Sequence, residues 1–185
     1  MKKQIGNTLA LYPTPLVVVG TIMSGKPNWL LVGHIGIIGH DRVLVSLAKP
    51  HYTNQGIKDT RTLSINIVDE TMLPKADYTG CVSGSKVDKS ELFQYQIGEG
   101  SVPLINDAPV SMSCTVEDIY ETEGFESFIC KIAATYAEES VLTAEGKIDY
   151  RTLKPVLFEF PTYEYLKTGD VIGKCRSRGN QEAAK

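Results

Sequence analysis

The sequence predicts a mainly β domain, a small barrel with short helices inserted between its strands. Three observations carry that prediction. Residues 15–48 hold three apolar runs rich in β-branched residues, separated by the turn clusters "SGKPN" and "GHDR". Residues 110–121 alternate, with Val110, Met112, Cys114 and Val116 set against Ser111, Ser113, Thr115 and Glu117, the period-2 pattern of a strand with one polar face. The helical-looking segments are short and lie between these strands.

In chain order, "PLVVVGTIM" predicts a first strand, "WLLVGHIGII" a second and "VLVSLA" a third, joined by short turns as an antiparallel meander. Their apolar runs are nearly continuous. That predicts burial on both faces, by a barrel interior on one side and a helix or partner subunit on the other. "YTNQGIKDT" predicts a short helix with Thr53 as its N-cap. "TLSINIV" is a fourth strand, "DETMLPKADYTGCVSG" a helix followed by a loop, "DKSELF" a helical turn and "EGSVPLINDAP" a loop. The strands "VSMSCTVEDIYE" and "ESFICKIAATYAEE" flank the turn "TEGF" as a hairpin. "GKIDYRTLKPVL" is a short helix ending near Pro155. "TYEYL" is a last strand, and "RSRGNQEAAK" a polar, frayed tail.

With 185 residues, the chain is expected to form one domain over 1–185, with about 1–12 and 176–185 peripheral. A net charge of -3 gives no support for a nucleic-acid binder. The N-terminus turns from basic to apolar, but Pro13 and Pro15 interrupt the apolar part and no cleavage-site pattern follows. The run 16–23 is far too short to span a membrane. A cytoplasmic protein with no membrane partner is expected. Cys81, Cys114, Cys130 and Cys175 are scattered with no C-x-x-C, so reduced, mostly buried thiols are expected and no metal site.

Three constellations bear on chemistry. In "GKPNWLLVGH", Asn28 leads into a strand containing Gly33, and glycine in a strand marks a bulge, a packing contact or close approach to the backbone. At a strand-to-helix junction, Ser46, Lys49, His51, Tyr52 and Thr53 stand together; such a junction either binds an anion or is simply a capped, solvated helix start. "YTGCVSGSKVDKSELF" is rich in small residues and carries Lys89, which suits a loop folded against a ligand or a solvated one. The carboxylate pairs Asp69/Glu70, Glu117/Asp118, Glu121/Glu123 and Glu138/Glu139 show no acid/base arrangement and read as solvated. G-x-S-x-G, Walker A and G-x-G-x-x-G motifs are absent from the sequence, so hydrolase, nucleotide-triphosphate and Rossmann chemistry lack support.

Taken in order, "YPTPLVVVGTI", "GKPNWLLVGH", "VLVSLAKPHYTNQGIKDTRTLSINIV", "DYTGCVSGSKVDKSELF", "PLINDAPVSMSCTVEDIYE" and the closing "GKIDY…YLKTGDVIGKC" resemble the flavin reductase-like, FMN-binding split-barrel family, closest to its flavoredoxin branch. The resemblance implies a Greek-key split barrel that forms a homodimer with FMN near the interface. It implies an FMN site made by Asn28, Leu30, Leu31, Val32, Gly33 and His34 along the ring, and by Ser46, Leu47, Ala48, Lys49, His51, Tyr52 and Thr53 at the ribityl and phosphate. Ser83 and Lys89 complete it. The implied activity passes reducing equivalents from NAD(P)H, a transient substrate, through FMN to an acceptor. A flavoredoxin-type electron carrier serving a redox protein partner is the alternative, as is a binding module that has lost flavin. The family commonly has Thr where Leu31 stands, Trp where His34 stands and a Pro pair within residues 41–43. His34 therefore sets an imidazole beside the expected cofactor, where it either handles a proton or merely packs.

Overall fold

The computed structural model describes residues 1–176. Twelve strands and three α-helices follow in the order β1 (Thr14–Pro15), β2 (Val17–Met23), β3 (Lys26–Val32), β4 (Ile35–Ile37), β5 (Arg42–Ala48), α1 (Thr53–Thr60), β6 (Thr62–Ile67) and α2 (Leu73–Cys81). Then come β7 (Tyr95–Ile97), β8 (Pro103–Ile105), β9 (Val110–Glu121), β10 (Phe125–Ala137), α3 (Tyr150–Leu153), β11 (Leu157–Glu159) and β12 (Glu164–Leu166). Residues 177–185, most of the tail expected to fray, lie outside the described part.

The main sheet has the order β3-β2-β6-β9-β10-β5-β4. Its hairpins β2–β3, β4–β5 and β9–β10 are interleaved in Greek-key fashion. The expected three-strand meander is therefore only half formed. β2 and β3 pair through a two-residue turn whose Ser24 and Gly25 both have positive φ (49° and 79°), the backbone a tight hairpin needs. The next apolar run does not continue as one strand. It breaks at Gly33–His34, and β5 pairs with β4 and β10 rather than with β3.

That break explains the barrel. Seven strands laid flat would set the edges β3 and β4 about 29 Å apart. Three peptide steps from Val32 to Ile35 reach only about 11 Å. The sheet must curl until its two edges meet at Gly33–His34.

Burial on both faces follows. On β2, Val17 and Val19 point into the barrel with Leu30, Val32, Val45, Leu63, Ile65 and Phe128, and Ile57 of α1 plugs the same core. Val18 points outward to a second core with Trp29, Phe93, Met72 and Ala76, the latter two at and within α2. Trp29 and Phe93 meet edge-on at 5.6 Å, an arrangement worth about 0.5–1.5 kcal/mol beyond area burial. The predicted hairpin is the main-sheet pair β9–β10, with register shifts between Ile129 and Cys130 and between Ile132 and Ala134. β1, β11 and β12 form a small separate sheet.

Three further local expectations change. The stretch 88–93 is turn, not helix, and the Pro/Gly-punctuated loop before β9 contains β8. Thr53 is the first helical residue of α1, not its cap; Tyr52 stands at the N-cap without a side-chain cap bond. Of the four free cysteines, Cys114 and Cys130 are buried and Cys81 and Cys175 exposed. Burial pushes the Cys114 thiol up to about 12, which makes it inert at neutral pH.

Candidate functional site

Two clefts lie along β3. The end of the strand, from Leu31 to Gly33, borders a cleft of about 330 Å³ that His34, Ser46, Leu47, Ala48, His51, Phe125, Phe158 and Phe160 complete. The start of the strand, at Lys26, Pro27 and Asn28, borders a second cleft of about 290 Å³ closed by Tyr52 and by the loop from Gly84 to Lys89. The consecutive residues His51 and Tyr52 divide the two. β3 is an edge strand, so alternate N–H and C=O groups along it have no strand partner on that side.

The first cleft is apolar and aromatic. The Phe158 ring lies against Gly33 so closely that a Cβ there would sit 2.6 Å from it. Glycine is required by close approach, and the same contact marks where the second apolar run breaks. His34 stands 5.6 Å from the Phe125 ring and 5.7 Å from Phe160, and its Nε2 lies 2.7 Å from the Tyr12 hydroxyl. The Thr14 hydroxyl donates to the Gly33 carbonyl at 2.6 Å, and the His34 carbonyl accepts from the Ser46 N–H. Tyr165 of β12 donates to Asp77 of α2, which docks the C-terminal strand pair, with Phe158 on β11 and Phe160 just after it.

The second cleft is polar. The buried Asn28 amide donates to the Thr53 hydroxyl at 2.8 Å. A Cβ on Gly84 would come 2.2 Å from Asn28 Oδ1 and 2.8 Å from Tyr52, so only glycine lets this loop press against β3. Lys89, 4% exposed, donates to the carbonyls of Thr79 and Val82 at the end of α2, and burial lowers its ammonium to about 8. Partial burial first, and then the Lys89 charge, lower the His51 imidazole. Lys26 pairs with Asp88 at 2.9 Å. The exposed Lys86 ammonium has no ion-pair partner among the described residues.

The residues expected from sequence divide accordingly. Leu31, Val32, Gly33, His34, Ser46, Leu47, Ala48 and His51 border the apolar cleft; Asn28, Tyr52 and Lys89 border the polar one. Thr53 is 2% exposed and reaches the site through Asn28. Ser83 bonds to Ser85 beside the polar cleft, and Leu30 points into the barrel core. Lys49 turns toward the β9–β10 hairpin and pairs with Glu121 at 3.0 Å.

Other participants were not read from the sequence. Tyr12, in the segment expected to be peripheral, bonds to a site residue. Phe125, Phe158, Phe160 and Lys86 border the clefts. Lys58 donates at 2.9 Å to Glu126, which also accepts from Asn54. Asn54 Nδ2 donates to the Ala48 carbonyl as well, so this buried set fixes the turn that carries His51 and Tyr52. No group of three or more His, Cys, Asp or Glu that would hold a metal ion occurs among the described residues. Likewise, no helix of the described residues is long and apolar enough to cross a membrane.

A curled Greek-key barrel with an apolar, aromatic cleft and a polar cleft in line along one edge strand has the architecture of a flavin reductase-like split-barrel protein. The chain belongs to that family: the family model for the flavin reductase like domain matches residues 9–166. Among solved structures, flavoredoxin from Methanosarcina acetivorans is 32% identical, covers 98% of this chain and 99% of its own, and superposes with a TM-score of 0.93. Flavoredoxin of Desulfovibrio vulgaris (Miyazaki F) is 30% identical over 97% of this chain and 100% of its own, with a TM-score of 0.89. An FMN-binding protein from Thermus thermophilus, 17% identical over 94% of this chain and 100% of its own, shares the fold with a TM-score of 0.81. No curated protein matches the chain.

Proposed function

We propose that this chain binds FMN along β3 and passes reducing equivalents from NAD(P)H through it to an acceptor. The observation that carries the reading is the pair of clefts in line. An apolar, aromatic slot and a polar cleft bordered by the exposed Lys86 ammonium suit one amphipathic ligand with a planar ring at one end and an anionic group at the other. The residues present fit FMN. Gly33 and Gly84 keep both clefts open where a Cβ would collide with the cleft's own walls, and the free edge of β3 supplies backbone donors and acceptors.

Bound FMN supplies two-electron chemistry at its isoalloxazine ring. The protein's part is placement and exclusion of water. Phe158, Phe160 and Leu31 wall the ring slot. Lys86 and the helix start at Tyr52–Thr53 face the anionic end. Lys89 holds the loop by capping α2, and its charge adds to the same end. Transfer of a hydride from a nicotinamide needs no acid/base pair, only alignment.

Titration of flavin-free protein with FMN, followed by addition of NADH or NADPH, tests the reading. Saturable FMN binding with flavin-dependent NAD(P)H oxidation is expected; no FMN binding overturns it. The likeness to two flavoredoxins favours one second reading, an electron carrier for a protein partner. Bound FMN reduced by dithionite but not by NAD(P)H distinguishes it.

The active form in this proposal is a homodimer. Ile37 and Ile38, at and just beyond the edge strand β4, are 87% and 48% exposed, and Leu11 80%. Apolar side chains of that size in water suit a partner surface. Sedimentation of the FMN-loaded protein as a monomer contradicts it.

A further inference from the structure

Two imidazoles border the apolar cleft, those of His34 and His51; of these two, His34 is the one hydrogen-bonded to a titratable side chain among the described residues. Tyr12 lies 2.7 Å from Nε2. Its ring stacks on Phe160 at 6.3 Å and meets Phe158 edge-on. Phe125 meets the imidazole edge-on at 5.6 Å and Phe160 lies 5.7 Å from it, so aromatic rings pack around His34. Its backbone is held too, because the His34 carbonyl accepts from Ser46. Nδ1 makes no hydrogen bond among the described residues.

We infer that Tyr12 and His34 form a proton-holding pair for the ring seated in this cleft. Nδ1 of His34 is the atom that gives and takes the proton, and Tyr12 is the positioning residue. The inference rests on the flavin reading above.

The chemistry balances without movement of either ring. In the imidazolium, Nε2–H donates to the Tyr12 oxygen and Nδ1 carries the other proton. Two electrons arrive from an external reductant, a dihydronicotinamide or dithionite. His34 then gives its Nδ1 proton to the reduced ring and is left neutral, with Nε2–H still bonded to Tyr12. Water returns a proton to Nδ1. Burial, and then Tyr163, raise the Tyr12 phenol, so it stays protonated and offers an oxygen lone pair throughout. The titratable neighbours are Tyr12, Tyr163 beyond Phe160, and His51 on the same cleft. Among the described residues no carboxylate or ammonium bonds to the His34 ring.

The test follows the midpoint potential of bound FMN against pH, with dithionite as reductant, in wild type, His34→Gln and Tyr12→Phe. Alongside it, the His34 Cε1–H resonance is titrated by NMR in flavin-free wild type and Tyr12→Phe. The wild-type potential line is expected to change slope where His34 titrates. That bend is lost in His34→Gln. In Tyr12→Phe the bend and the NMR midpoint shift together. FMN bound by His34→Gln with an unaltered potential line overturns the pair and leaves the flavin reading standing. A wild type that binds no FMN overturns both. An unaltered His34 titration in Tyr12→Phe removes Tyr12 from the pair.

Discussion

The Asn28 amide donates to the Thr53 hydroxyl across 2.8 Å, with both side chains buried. This bond ties the edge strand β3 to the first turn of α1 and so sets the position of the His51–Tyr52 divide between the clefts. Thr53→Ala leaves the Asn28 amide buried without its acceptor, which costs about 1–3 kcal/mol. Urea unfolding is expected to show that loss, and FMN affinity to fall with it. Thr53→Ser, which keeps the hydroxyl, is expected to restore both.

Lys86 gives the opposite profile. Its ammonium is exposed and unpaired among the described residues at the polar cleft, so removing it disturbs no packing. A charge-assisted bond to a phosphate contributes about 1.5–3 kcal/mol, so Lys86→Gln is expected to weaken FMN binding roughly ten- to a hundredfold. Stability is expected to change by less than about 0.5 kcal/mol. Fluorescence titration and urea unfolding of the same sample measure both.

Lys89 is expected to write itself into the alkaline stability profile. Its folded value is about 8, against about 10.4 in the unfolded chain. Between the two, the unfolded chain holds a proton that the folded chain has released. Stability therefore rises with pH across that window, and below it the cost of burying the ammonium is fully present. Lys89→Met is expected to flatten the rise, read as urea midpoints from neutral to alkaline pH.

Glu126 acts at the acid end. Burial works to raise its carboxyl, but hydrogen bonds from Lys58 and Asn54 outweigh it and hold the group below the ordinary carboxylate range. A depressed folded value contributes stability above the unfolded pKa, about 4.3, that is lost as pH falls through the folded one. Glu126→Gln is expected to remove that acid-range loss and to lower stability at neutral pH. The urea midpoint followed from about pH 7 down to about pH 3 checks it.

What the sequence disclosed followed from period and turn chemistry. The strict alternation at 110–117 placed the β9–β10 hairpin, and the unbroken apolar runs foretold a strand wall buried on both faces. The break of the second run at Gly33–His34 was not legible. It depends on Phe158, 125 residues further on, whose ring occupies the space of a Gly33 side chain. The site divides in the same way. Residues on β3, β5 and the following turn were found because they are contiguous. Tyr12, Phe125 and the pair Phe158 and Phe160 come from three separate places, each an ordinary apolar position until the barrel closes. Lys49 looked like a phosphate ligand by position, but the β9–β10 hairpin brings Glu121 to it. Glu126 was not singled out in the sequence, because its partners Asn54 and Lys58 reach it only in the folded chain.

The central claim is that one FMN lies along β3 with its ring against Phe158 and its phosphate toward Lys86. The most direct measurement is an equilibrium titration of flavin-free protein with FMN by flavin fluorescence, in wild type, Phe158→Ala and Lys86→Gln. The account predicts one FMN per chain, with binding weakened in both variants from opposite ends of the ligand. Saturable binding that neither substitution alters, or no binding at all, would contradict it.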